Sequence, residues 1–116
     1  MRFMLMFKGD KAPEPGDVAC KQNLPEMKKL MGELKRTGVL ISSEGLEGSE
    51  KGARVKFTGG KYSVVDGPFA EAKELIAGVC VVEVGSKQEA MGLARKFLEI
   101  AGDGESEIRQ VMEVKE

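Results

Sequence analysis

Histidine and tryptophan are absent from this 116-residue chain, tyrosine occurs once, and there are two cysteines and four prolines. Each shortage removes chemistry. Without an imidazole there is no Ser-His or Cys-His dyad and no His-based zinc site, which leaves Asp, Glu, Lys, Arg, Tyr and Cys as proton carriers. No metal and no cofactor are expected. Cys20 and Cys80 lack CxxC spacing and read as free thiols, Cys80 in a strand and Cys20 in a loop. A disulfide between them is disfavoured in a reducing cytosol. Neither sign of charge dominates: 18 basic against 19 acidic residues leave a net charge of -1. With no basic run to track phosphates, direct nucleic-acid binding is not expected. Long apolar stretches are missing as well. The apolar start Met1–Phe7 is too short for a membrane span and lacks a signal-peptide layout, so no membrane contact and a cytoplasmic location are expected.

What is present suits one globular domain over residues 1–116. Hydrophobic residues at 41% and charged residues at 32% are ordinary for a water-exposed fold. A chain of this length buries roughly two-thirds of its unfolded surface in one core. Phe3–Phe7 and Ile76–Val82 are continuous apolar runs and read as strands buried on both faces. Gly9–Gln22, with Pro13, Pro15 and Gly16, reads as a loop. Asn23 with Glu26 predicts a capped helix carrying Met27, Leu30, Met31 and Leu34 on one stripe, stopped by Gly38. That methionine-rich stripe reads as core packing or as an adaptable binding face. Val39–Ser43 follows as a strand, closed by Glu44-Gly45-Leu46. Ser86 to Glu89 fits a capping box for a second helix with Leu93, Ala94, Phe97 and Leu98 inward and Gly102 at its end. Ile108–Val114 alternates as an edge strand would.

The sharpest local signal is a hairpin. Ala53–Phe57 alternates, Gly59-Gly60 supplies a two-residue turn, and Tyr62–Val65 returns. If Thr58 faces Lys61, then Ala53, Val55, Phe57, Tyr62, Val64 and Asp66 share one face. Asp66 thus ends an apolar face, where a carboxylate must be hydrogen-bonded, solvated at a cleft or raised in pKa. It either holds the turn through backbone N–H groups or takes part in ligand or proton chemistry. Gly67-Pro68 turns the chain, and Phe69 is core or a cleft wall. Glu71, Lys73 and Glu74 are a solvated helical face or part of the same site.

The order strand, helix, strand, hairpin, strand, helix, strand is α+β. Without the inserted hairpin it is βαββαβ, the ferredoxin-like arrangement, whose inner strands are the two continuous apolar runs. Helices on one face leave the other face to be covered, by the hairpin in part and by a second copy of the chain. A homodimer is therefore expected.

Asp66-Gly67-Pro68-Phe69 followed by Ala70-Glu71-Ala72-Lys73-Glu74 resembles the signature of the YCII-related proteins, specifically their DGPF subgroup. The similarity extends through Gly9-Asp10, Pro25-Glu26-Met27, Gly38-Val39-Leu40, Glu44-Gly45-Leu46 and Gly59-Gly60-Lys61. Ala72 stands where the subgroup usually carries threonine. The resemblance implies a dimeric α+β barrel. Some YCII-related proteins outside the subgroup are dehydrochlorinases using a histidine and an aspartate, and the histidine position matches Met27 here, so that mechanism does not transfer. The cleft by Asp66 does. DGPF proteins often accompany extracytoplasmic-function sigma factors, which implies a transcription regulator as a possible partner.

Two function classes follow. The first is a small-molecule enzyme of lyase or isomerase type, with Asp66 as base, Glu44 or Glu71 as second carboxylate, and Tyr62 or Lys73 as electrophilic stabiliser. Asp10, Met27, Tyr62, Gly67, Pro68, Phe69 and Lys73 are the candidate ligand contacts. The second is a non-catalytic module that senses a small molecule or docks to a regulator. A cofactor-free oxygenase-like barrel is disfavoured by the missing histidine.

Overall fold

The computed structural model describes residues 1–9, 24–69 and 75–113. Its elements in order are β1 (Arg2–Gly9), α1 (Leu24–Arg36), β2 (Leu40–Gly45), a 3-10 turn (Ser49–Lys51), β3 (Ala53–Thr58), β4 (Lys61–Asp66), β5 (Leu75–Glu83), α2 (Lys87–Ala101) and β6 (Glu105–Gln110). Four strands form one antiparallel sheet in the order β2-β5-β1-β6, and β3 and β4 form a separate two-stranded sheet. The chain is mixed α+β, compatible with a ferredoxin-like arrangement into which a hairpin is inserted. The two continuous apolar runs are the inner strands β1 and β5, as their pattern predicts.

Register divides the sheet into two unlike faces. Phe3 lies opposite Val82 and Leu5 opposite Cys80. These four are buried with Leu40 under Ala90, Leu93 and Ala94 of α2, and Met31 and Leu34 of α1 pack against them. Both helices therefore cover one face. On the other, Met4 pairs with Val81 and Met6 with Val79, and all four are only half-buried.

Local rules explain the helix ends. Gly38 adopts φ 83, which lets its N–H reach the Lys35 carbonyl at 3.2 Å while the Val39 N–H reaches that of Leu34 at 2.9 Å. This is a Schellman stop. Asn23, the expected cap of α1, lies outside the described residues, as does Cys20. At α2 the Ser86 hydroxyl accepts the Glu89 N–H at 3.2 Å, and the Glu89 carboxylate accepts the Gly85 N–H at 3.0 Å. The capping box forms, with its return bond one residue earlier than the motif's usual partner.

Two expectations need adjusting. The edge strand runs over Glu105–Gln110 rather than Ile108–Val114, because pairing with β1 starts at Lys8 opposite Glu105. Gly104 permits this early start: a side chain there would meet the Phe7 ring at 2.7 Å. The hairpin has the expected register, from Thr58 opposite Lys61 to Ala53 opposite Asp66, with Gly59 and Gly60 both at positive φ. It does not shield the open sheet face. Every residue of β3 and β4 except Arg54 is exposed, so the hairpin is an arm with a bare apolar side.

Candidate functional site

The Asp66–Phe69 segment is fixed by the 3-10 turn at Ser49–Lys51. The Gly67 N–H donates to the Gly52 carbonyl at 2.9 Å, closing the base of the arm, and the Phe69 N–H donates to the Ser49 hydroxyl at 3.2 Å. A side chain on Gly67 would place its Cβ 1.6 Å from the Ser49 carbonyl oxygen, so only glycine allows the approach. The Gly67–Pro68 peptide is cis. Together these contacts point the chain so that the Phe69 ring lies under the Arg54 guanidinium, whose central carbon is 4.0 Å from the ring centroid. A stack of this kind holds a cation in place before any ligand arrives.

Phe69 and Arg54 wall a hollow of about 600 Å³. Among the described residues, Lys8, Lys51 and Arg54 are its basic lining, Glu47 its acidic lining, and Leu46 and Ile76 are apolar. Lys51 is 3.7 Å from Glu47, an exposed pair of the kind that contributes little. Lys8 follows a register shift in β1 and lies 2.6 Å from Glu107. The Lys8 hydrogen bond, with help from Arg109, holds the Glu107 carboxyl below the usual carboxylate range.

A second, more apolar hollow of about 200 Å³ lies between the helices and one end of the sheet, lined by Met27, Met31, Phe97, Leu98, Phe7 and Glu44 among others. The Ser43 hydroxyl meets the Met31 sulfur there at 3.8 Å.

The expected site residues are therefore divided. Phe69 is a cleft wall in the first hollow, whereas Met27 and Glu44 line the second. Asp66, Tyr62, Gly67 and Pro68 line neither, and the Asp66 side chain is exposed on the arm. Asp10, Glu71 and Lys73 lie outside the described residues. Sequence reasoning passed over Lys8, Ser49, Lys51 and Arg54. For Arg54 the signal was available: the alternation that groups Asp66 with Val55 sends Arg54 to the opposite side of β3, toward the chain body.

The family model of the YCII-related domain matches residues 1–115. The chain belongs to the YCII-related family. No curated protein matches it. Among the described residues of this YCII-related domain, no helix is long and apolar enough to cross a membrane.

The buried thiol of the domain gives a pH signature. Burial pushes Cys80 from its ordinary value of 9.0 up to about 11, opposed by a backbone hydrogen bond from Leu5. The folded chain thus holds this proton more tightly than the unfolded one. The associated stability, roughly 2–3 kcal/mol, is complete below about pH 9 and is lost as pH rises through about 11. Urea midpoints measured from pH 8 to pH 11 are expected to fall less steeply in Cys80→Val than in the parent chain. Equal slopes would show that the thiol is not held protonated by the fold.

Proposed function

We propose that this YCII-related domain is a homodimeric small-molecule-binding protein of the DGPF subgroup, and that its ligand combines an anionic group with an apolar body. The observation that carries this reading is the Arg54 guanidinium stacked on Phe69 beside the Gly67-Pro68-Phe69 turn, in a hollow that, among the described residues, Lys8 and Lys51 also line beside the apolar Leu46 and Ile76. A guanidinium offers a planar donor fork to a carboxylate or phosphate, and the stack on Phe69 lowers the cost of ordering it. About 600 Å³ lies within the range of small-molecule clefts.

The subgroup assignment is supported by Asp66-Gly67-Pro68-Phe69, in which Gly67 has a steric reason to be glycine. The dimer, of facing-sheet barrel type, is supported by the half-covered Met4, Met6, Val79 and Val81 face. As a ligand sensor, such a protein would serve a transcription regulator, the partner that the subgroup resemblance suggests.

A second reading, acid/base catalysis by Asp66, is favoured by one feature. Asp66 shares its side of the arm with Val55, Phe57, Tyr62 and Val64, so a partner covering that side would desolvate the carboxylate. Calorimetric titration separates the two readings. Benzoate and phenylacetate are expected to bind where benzylamine does not. Arg54→Ala is expected to weaken that binding by about tenfold or more, the loss of one charge-assisted contact. Asp66→Asn is expected to leave it intact. Equal binding of the amine, or no loss in Arg54→Ala, contradicts the anion site. Turnover of any ligand that vanishes in Asp66→Asn favours the catalytic reading.

A further inference from the structure

Close-packed protein interiors leave few voids larger than a water molecule. The hollow of about 200 Å³ between the two helices and one end of the sheet is an exception, and the anion site does not use it. Its floor is a pair of glycines. Gly45 on β2 lies opposite Gly78 on β5, two residues beyond Ser43 opposite Cys80. Alternation puts Gly45 on the helix side of the sheet with Ser43, whose hydroxyl touches Met31 of α1. A Cβ on Gly45 would meet nothing within 4 Å, so open space stands where a strand usually carries a side chain. Phe7, Met27, Met31, Phe97 and Leu98 wall that space.

The lining also sets which charge the hollow tolerates. Among the described residues, Glu44 and Cys80 are its only ionisable members. Glu44 alternates to the other side of β2 and is exposed, while burial keeps Cys80 a neutral thiol. An ion entering here would lose its water without gaining a counter-charge. One polar group remains to orient a guest. Among the described residues, the partner of the Ser43 hydroxyl is the Met31 sulfur at 3.8 Å. A thioether accepts weakly, and the bond leaves the lone pairs of Ser43 Oγ to receive a donor.

We infer that this hollow is a second small-molecule site, for a neutral molecule about one aromatic ring in size that donates one hydroxyl to Ser43 Oγ. The volume suits such a guest, since apolar cavities of about 150 Å³ take up benzene. Met27 and Met31, on successive turns of α1, form a wall that adapts to a ligand's outline. The inference stands apart from the anion site: the two hollows share no lining residue among those described, and their ligands differ in charge.

The full chain carrying carbon-13 at its methionine methyls is titrated with p-cresol and, separately, with toluene. Saturable shifts at Met27 and Met31, with the exposed Met91 and Met112 unmoved, are expected. p-Cresol should bind about fivefold tighter than toluene, the gain from one neutral hydrogen bond. Ser43→Ala should erase that difference by loosening p-cresol alone. Gly45→Val extends a side chain into the open space and should weaken both ligands about tenfold or more. Ala101→Leu fills the hollow from α2 and gives the same reading should the first variant not fold. Absence of saturable shifts at Met27 and Met31 overturns the site, as does binding unchanged by filling. Equal affinity for p-cresol and toluene overturns the hydroxyl-donating ligand. Phenylacetate binding is read in parallel: its absence from the parent chain counts against the anion hollow and leaves this site standing.

Discussion

Gly67→Ala is expected to be among the most damaging single substitutions in the chain, lowering stability by about 3–5 kcal/mol. Its added methyl would sit 1.6 Å from the Ser49 carbonyl oxygen and 2.6 Å from the carbonyl carbon. Both are backbone atoms that cannot rotate away as a side chain would. Relief requires parting the Asp66–Phe69 segment from the 3-10 turn. That movement would cost the Gly67–Gly52 and Phe69–Ser49 hydrogen bonds and the seat of the Arg54–Phe69 stack. The comparison is Gly59→Ala. Gly59 has open space around it and a φ of 60, so the cost there is conformational, about 1–2 kcal/mol. Urea unfolding followed by circular dichroism measures both. Gly67→Ala landing at or below Gly59→Ala would show that the turn does not approach Ser49 as described.

Phe3→Ala is expected to cost about 3–5 kcal/mol, a large part of the roughly 5–15 kcal/mol that holds a domain folded. Phe3 is 3% exposed among Leu5, Leu40, Val82 and Leu93, where a deleted ring leaves a cavity that close-packed neighbours cannot fill. The contrast is Phe57→Ala, which removes the same side chain from an exposed arm. In dilute, monomeric chain its cost is expected to stay below about 1 kcal/mol. Chemical denaturation of the two variants at low concentration separates a ring that holds the fold from one that is available to a partner. Similar losses would mean that the arm is packed within its own chain.

The parts legible in the sequence were those governed by neighbours along the chain. Gly59-Gly60 fixed the hairpin register because two adjacent residues at positive φ admit one pairing. Ser86 and Glu89 capped α2 because both groups needed for the bond lie within a single turn. The apolar runs identified β1 and β5 as inner strands because neither run alternates with polar residues, although Ile76 is exposed and the face away from the helices is only half-buried. Alternation also told that one side of the arm is apolar. It could not tell what covers that side, and in the single chain nothing among the described residues buries it. The expectation for Asp66 follows the same division: its register was correct, but its burial depended on a covering layer outside the local pattern.

The hollow was the least legible feature. Lys8 comes from the end of β1, Lys51 from the 3-10 turn, Arg54 from β3 and Phe69 from beyond β4. The approach of Gly67 to Ser49 joins Phe69 to the 3-10 turn, while the pairing of Lys8 with Ile76 and the Leu46–Ala77 backbone bond bring in the sheet; no periodicity encodes the first of these. The glycine itself was visible in the sequence as a turn residue. Its second task, admitting backbone against backbone, was visible only in three dimensions.

The most direct measurement is an assigned amide spectrum of the intact chain titrated with phenylacetate. Shifts concentrated at Ser49, Lys51, Gly52, Arg54 and Phe69, and lost in Arg54→Ala, are the predicted result. Shifts centred instead on Met27, Met31 and Phe97, or no saturable shifts at all, would contradict an anion-binding hollow beside the Gly67-Pro68-Phe69 turn.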